Sequence, residues 1–467
     1  MPYEGEFANK ASHVDILNNP DIKRMLAECT YLKPPSDEEA QELANQFVDP
    51  PNYQDELPRF IIAVDGSNHE VSIDDKLPSS KFGFIKLGVV LINLQQFGDL
   101  KVGKFVDPFR VAELKNNNTS LTFFLPSANI TWKDQVNVRD SFRATLDQQL
   151  YDERTRFRKN DPQTSLRSTL FALASLRPGE MGTEGEDQLK IHQCPDCSEG
   201  PITLVDTPDQ QFCPHCQAKL YPSDCLRLWE EVSDFQSNQT ALTRLMMVLE
   251  HLIPAHYIRM FLKESPILLS NLAFFVDGPL AIFGNPAWLH RSMMIFLENA
   301  KRKLARFNVN PILMIGLQKT GQVVDYLNFV DRFLPNNKIY PLDDEFRYSY
   351  ILGNRDPASK TFGFETYYGQ DFIFKTASGK TFNFLIPYPF ATKEFSIQNF
   401  NLEKVNLNNY GNLPLAIALI QHLESDLYKN AIVPVALAHS YTAISFEPGG
   451  RVLDLFARQA LGGQNNG

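Results

Sequence analysis

Apolar residues along this chain fall into two patterns, short uninterrupted runs and longer helix-spaced stripes, and their interleaving predicts a layered α/β domain. From Pro58 the segment PRFIIAVD reads as a buried strand ending in Asp65, with Gly66-Ser67-Asn68 as the turn after it. Gly83–Leu94 is a second strand, long and rich in β-branched residues. Asn271–Asp277 (NLAFFVD) is another apolar run stopping at an aspartate and a glycine, and 311–317 (PILMIGL) runs straight into Gln318-Lys319-Thr320-Gly321. Further strand-like segments are Phe346–Leu352, Asp371–Lys375 and Thr381–Ile386. Helical spacing marks Val138–Phe157, Ser165–Leu176, a long stretch from Ser223 to about Lys263 broken near Pro254, Pro286–Phe307 and Leu413–Tyr428. The run 432–446 (IVPVALAHSYTAISF) is too apolar to assign to strand or helix.

Residues 1–57 read as a helical preface in which paired prolines bracket a polar helix from Ser36 to Phe47, its Ser-Asp-Glu-Glu start suiting a helix N-terminus. The main domain then spans 58–191 and 223–460, divided by an insertion at 192–222, and the closing GGQNNG is expected to be disordered. No segment approaches the run of about eighteen apolar residues that a membrane span needs; the best candidate, Phe84–Leu94, is short and carries Lys86. The start of the chain is polar and lacks an apolar signal core, so a cytoplasmic protein without a membrane partner is expected.

The insertion carries the most specific signal. Cys194-Pro-Asp-Cys197 and Cys213-Pro-His-Cys216 are two C-x₂-C knuckles that can bring four thiolates around one tetrahedral zinc. His192 and His215 are spare, each an alternative ligand in place of a cysteine, Cys29 is an ordinary thiol, and Cys225 is a bystander near the cluster. A four-cysteine shell leaves no position for a substrate, so such a zinc is structural.

The strand-end acids suggest chemistry. Hydrolysis of a phosphodiester is assisted by two divalent ions about 3.5–4 Å apart held by a few carboxylates, and magnesium and manganese take oxygen ligands. Asp65 and Asp277 are candidates, although an Asp-Gly after a strand is commonly only a turn. Ile62–Ser67, with Asp65, resembles the first motif of the NurA nuclease family. Phe275–Leu280 resembles its central aspartate motif, with Pro279 where the family more often has serine; Gly316–Thr320 is similar to its lysine motif, and Ala436–His439 to its terminal histidine motif.

The resemblance implies an RNase-H-like mixed sheet flanked by helices, with the four-cysteine ribbon and the helical N-terminal extension added to it. It implies a site made of Asp65, Asp277, Lys319 and His439, completed by a helical glutamate for which Glu250 is the best candidate and Glu230 or Glu231 the competitors. Asp65, Glu250, Asp277 and His439 would hold manganese or magnesium. It implies cleavage of DNA, as an endonuclease on single strands and a 5′-to-3′ exonuclease, by a homodimer coupled to a HerA-type hexameric ATPase in end processing or in defence against foreign DNA. The chain has no GxxxxGK[ST] motif and is not itself the motor. His69 is taken as loop.

The formal net charge of −10 cuts against autonomous DNA binding, which draws on neutralised phosphates. The basic runs Arg154–Lys159 and Lys301–Arg306 read as solvated helix faces, so the DNA would be delivered by the partner. The rival readings are a non-catalytic adaptor keeping the fold and a zinc-ribbon nucleic-acid-binding subunit.

Overall fold

The computed structural model describes residues 13–29, 33–74, 77–98, 101–102, 105–106, 118–352, 361–393, 397–425 and 432–443. Eight strands form one mixed sheet: β1 (Phe60–Ser72), β2 (Lys81–Asn93), β3 (Asn118–Pro126), β4 (Leu272–Asp277), β5 (Leu313–Gln318), β6 (Lys338–Pro341), β7 (Gly369–Lys375) and β8 (Thr381–Pro387), in the order β6-β7-β8-β5-β4-β1-β2-β3. The central pairs β1–β4 and β4–β5 are parallel, and every other neighbouring pair is antiparallel. This is the expected mixed sheet flanked by helices.

Because side chains alternate across a strand, the central strands feed two apolar layers. Ile62, Val64, Phe274 and Val276 face the layer that holds α4 (Gln239–Glu264) and α5 (Leu289–Ala305). Ile61, Ala63, Ala273 and Phe275 face the layer of α7 (Leu413–Leu423) and α8 (Val433–Thr442). Residues 272–276 of β4 are buried on both faces, which is why that strand reads as an unbroken apolar run rather than an alternation.

Besides short helices at Val14–Asn18 and Pro20–Glu28, the preface holds the expected polar helix, α1 (Asp37–Ala44), begun by a capping box: Glu39 N–H donates to Ser36 Oγ at 3.2 Å, and Ser36 N–H donates to Glu39 Oε2 at 2.7 Å. It packs on α6 (Gln322–Val330) through Ala40, Leu43 and Phe47. Helices α2 (Val138–Tyr151) and α3 (Leu166–Ser175) complete the α4 layer.

Several local expectations are corrected. β1 does not stop at Asp65, and Gly66-Ser67-Asn68 is not a turn, because β2 continues the antiparallel ladder to Ser72. What ends near Asp65 is the pairing with β4, whose last matched pair is Val64 with Val276. His69 therefore lies in a strand. Phe346–Leu352 is helical: Asp343 caps the turn by accepting from Phe346 N–H, and a π-helical turn follows at Arg347–Ile351. The long helix begins at Gln239 rather than Ser223, after 3₁₀ turns at Pro222–Leu226 and Leu228–Glu231. Pro254 does not break it, since burial along 248–256 outweighs one lost backbone hydrogen bond. Strands β3 and β6 lacked an apolar run long enough to be anticipated. The tail 462–467, the end of the helix expected to Tyr428 and the last residues of the 432–446 run lie outside the described residues.

Two small hairpins, Gln188–Ile191 with Ile202–Val205 and Gln211–Phe212 with Lys219–Leu220, carry the cysteine knuckles. Their core is continuous with the α4 layer through Leu189, Ile191, Cys194 and Cys213. Arg143 of α2 anchors this region by a two-pronged bond to Asp224, 2.8 Å on each arm, and by donating to Lys219 O.

Candidate active site and cysteine cluster

The acid site forms where β1 parts from β4. Asp65 and Asp277 continue the parity of Ile61, Ala63, Ala273 and Phe275, so both carboxylates turn toward α8. Gly88 of β2 sits opposite Asp65, and a Cβ there would meet Thr442 Cγ2 at 2.6 Å. Its absence lets the end of α8 lie close over the strand. From that helix Thr442 Oγ1 donates to Asp65 Oδ2 at 2.5 Å, and His439 Nδ1 stands 3.3 Å from the same oxygen. Lys319, one residue past β5, places Nζ 2.5 Å from Asp277 Oδ2.

Glu250 arrives from the other face. Gly66 has the opposite parity to Asp65, and its N–H donates to Glu250 Oε1 at 2.7 Å. A Cβ on Gly66 would meet Met246 Cγ at 2.7 Å and Glu250 Oε1 at 2.9 Å, so glycine is needed for α4 to pass this close. Glu230 and Glu231, the competing acids, are instead engaged by Arg227 and Arg244.

Asp65, Asp277, His439 and Lys319 therefore converge, with ligand atoms of Asp65, Asp277 and His439 within 4.8 Å of one another, while Glu250 lies outside that set, near enough to act electrostatically on both aspartates. The electrostatics are those of acids brought together with little solvent. Burial and the neighbouring Asp65 push the Asp277 carboxyl up to about 7, against the pull of Lys319. Burial, then Asp65 and Asp277, hold Glu250 well above the carboxylate range. His439 is lowered by burial and by Lys319, which favours the neutral imidazole that can ligate a metal. Two carboxylates, an imidazole and a lysine gathered in this way fit a divalent cation, whose charge would relieve the repulsion among the acids.

Sequence reasoning missed Thr442 and Lys86. Thr442 follows His439 by one helical turn, which was the available signal. Lys86 figured only as the charge interrupting an apolar run; its Nζ donates to Tyr441 O at 2.7 Å and tethers the end of α8 to β2. Much of the two basic runs is paired locally: Arg154, Arg158 and Lys159 pair with Asp152, Glu264 and Glu153, and Lys301 and Arg302 pair with Glu298.

The second cluster is the four cysteines. Cys194 and Cys216 sulfurs lie 3.6 Å apart, and Cys197 and Cys213 sulfurs 3.7 Å apart. The two knuckles repeat one hydrogen-bond pattern: Ser198 N–H returns to Cys194 O and Gln217 N–H to Cys213 O, with both residues left-handed at φ 61° and 62°. Asp196 N–H points at Cys194 Sγ and His215 N–H at Cys213 Sγ, each at 3.4 Å. Burial raises the Cys194 thiol to about 12, whereas backbone N–H groups of Cys216 and His215 lower Cys213 to about 6 in spite of burial. His192 and His215 are exposed, outside the set of four.

The NurA domain family model matches residues 60–444, the interval that contains every described strand and every residue of the acid site. The chain belongs to the NurA family. Among solved structures it is similar to the NurA nuclease from Sulfolobus solfataricus, at 10% identity over 97% of each chain with a TM-score of 0.33. It is also similar to a further NurA crystal structure, at 11% identity over 95% of this chain and 98% of that one, with a TM-score of 0.28. No curated protein matches the chain. Among the described residues no helix is long and apolar enough to cross a membrane.

Proposed function

We propose that this NurA-family chain is a divalent-metal-dependent deoxyribonuclease. The observation that carries the proposal is the convergence of Asp65, Asp277 and His439 at the strand fork, flanked by Lys319 and Glu250. Manganese or magnesium bound there, as one ion or as a pair about 3.5–4 Å apart, would supply Lewis acidity toward a phosphodiester and stabilise charge on its entering and leaving oxygens. Asp65, Asp277 and His439 would be the ligands, with Thr442 holding Asp65 in place. Glu250 would give up its proton as positive charge enters and so complete the acidic set. Lys319, paired with Asp277 before metal arrives, would then be free to face a phosphate oxygen.

In the cysteine cluster we propose a structural zinc. A tetrahedron with Zn–S of about 2.3 Å sets its sulfurs about 3.8 Å apart, close to the 3.6 and 3.7 Å separations here.

The finer reading follows from family membership and from charge. At −10 overall, with much of its basic runs in local ion pairs, the chain has little long-range attraction for DNA. We therefore assign it a cytoplasmic role as a homodimer fed by a HerA-type hexameric ATPase. It would cut single strands internally and degrade 5′ ends, in end processing or in defence against foreign DNA.

The test is nicking of supercoiled plasmid by the purified chain with and without manganese, with Asp65→Asn as control. Manganese-dependent nicking lost in the variant supports the enzyme. No nicking, with intact DNA binding, would favour the adaptor reading.

A further inference from the structure

A cavity of about 370 Å³ lies between the end of α3, the first turns of α5 and the segment 391–393. Arg177, Arg291 and Lys393 bring charge to it, and Leu176, Ile295 and Phe364 form part of its apolar wall. None of the acid-site residues lines it.

Lys393 is a fixed part of the wall. Only 5% exposed, its ammonium donates to Gly363 O at 2.9 Å, to Phe364 O at 2.7 Å and to Tyr367 O, so it keeps its donors satisfied without any carboxylate partner among these contacts. The two arginines do have acidic neighbours. Arg177 pairs with Glu180, and Arg291 stands 3.7 Å from Glu365, but these glutamate side chains are 65% and 74% exposed. The open Arg291–Glu365 pair offsets little of the charge, whereas Glu180 offsets part of that of Arg177.

Three basic side chains thus meet one acid in the wall, Glu180, and one at the rim, Glu365, which leaves the cavity net positive. Their convergence is felt by His290, which is 2% exposed, has no partner for Nε2, and is held down to about 3 by burial and by Lys393, Arg291 and Arg177. It adds no charge of its own at neutral pH. Arg177 is likewise lowered by burial and by Arg291. Burial, Lys404 and Arg291 lower Lys393 to about 7, so the two arginines are the lasting charges here. A multiply charged anion entering the cavity would meet planar guanidinium donors suited to a phosphate and would draw Lys393 toward its charged form.

We propose that this cavity is a second, non-catalytic site for a nucleoside phosphomonoester, either a free mononucleotide or the phosphorylated end of a DNA strand. Arg177 and Arg291 would take the terminal phosphate, and the apolar wall with Phe364 the base or sugar. The choice of a nucleoside over bare phosphate rests on the nuclease reading; the phosphate itself rests on the cations alone.

The test uses full-length, zinc-loaded Asp65→Asn protein without added divalent ions, so that neither cleavage nor the acid site contributes to the readout. Titration calorimetry with deoxyadenosine monophosphate should show saturable binding. Deoxyadenosine should bind at least about tenfold more weakly. The double change Arg177→Gln with Arg291→Gln should cost about tenfold or more in affinity, and the half-exposed Arg291→Gln alone a smaller loss with melting unchanged. A short single strand with a 5′-phosphate, compared with its 5′-hydroxyl form, distinguishes a DNA end from a free nucleotide. Inorganic phosphate binding as tightly as the nucleotide would overturn the nucleoside assignment. Absence of saturation, or affinity unchanged in both arginine variants, would overturn the site. Plasmid nicking by Arg291→Gln in the otherwise native chain should be unchanged, which keeps this result separate from the fate of the nuclease reading.

Discussion

The two candidate metal clusters are built in opposite ways. The cysteine cluster draws all four candidate ligands from residues 194–216, on two hairpin turns that share one hydrogen-bond pattern and whose first cysteines, Cys194 and Cys213, join the apolar core. The acid cluster draws its ligands from residues 65, 277 and 439, on two strands and a helix that meet only because the sheet forks there. In the first, four ligands fill a tetrahedron and nothing else can enter. In the second, three candidate ligands would leave coordination positions to water and a phosphate, and the neighbours Lys319 and Glu250 are ionisable rather than apolar. Closure suits stability and openness suits chemistry.

The largest effect should come from the open cluster. Asp65→Asn or Asp277→Asn should lower manganese-supported nicking by about 10³-fold or more, while circular dichroism and melting stay near those of the parent. Wild-type rates in either variant would remove the acids from the mechanism. Cys194→Ser should act in the opposite sense. It should lower the melting temperature, increase proteolysis within 188–220 and reduce the zinc content from about one per chain, yet leave nicking by the folded fraction within about tenfold.

Glu250 lies between these extremes. Glu250→Gln should keep the bond from Gly66 N–H and lose about 10–10²-fold in rate. Gly66→Ala reaches the same residue without altering its chemistry, because the added Cβ would meet Glu250 Oε1 at 2.9 Å and Met246 at 2.7 Å. A several-fold loss with about 1 kcal/mol of destabilisation is expected. If Gly66→Ala is silent in both readouts, α4 is less tightly seated than its contacts indicate.

The smallest effect is electrostatic. In metal-free protein the fold raises Asp277 to about 7 and raises Glu250 as well, so the native state keeps protons that the unfolded chain has released. Stability should therefore fall as pH rises from the ordinary carboxylate range toward 7, and manganese should restore it. The melting difference between Asp277→Asn and the parent should shrink as pH is lowered through that window.

How much of this was legible beforehand follows from the same contrast. The cysteine spacing states its geometry within about two dozen residues, so the cluster could be read without knowing the fold. The sheet class was legible because β4 and β5 are buried on both faces and appear as plain apolar runs. The continuation of β1 past Asp65 was not, because Gly66-Ser67-Asn68 has turn composition and only the pairing with β2, some twenty residues on, keeps it extended. The acid site had no local signature beyond Asp-Gly steps, and its residues were named through the family resemblance. Thr442 and Lys86 lay outside those motifs and emerged only from the packing of α8 on β2.

The most direct test of the division between a cutting site and a structural one is a side-by-side rate. Manganese-dependent nicking of supercoiled plasmid would be measured for the parent, Asp277→Asn and Cys194→Ser at matched concentrations of folded protein. Nicking abolished in Asp277→Asn and retained in Cys194→Ser is the predicted result. Retention in Asp277→Asn with loss in Cys194→Ser would place the chemistry at the cysteines and contradict it.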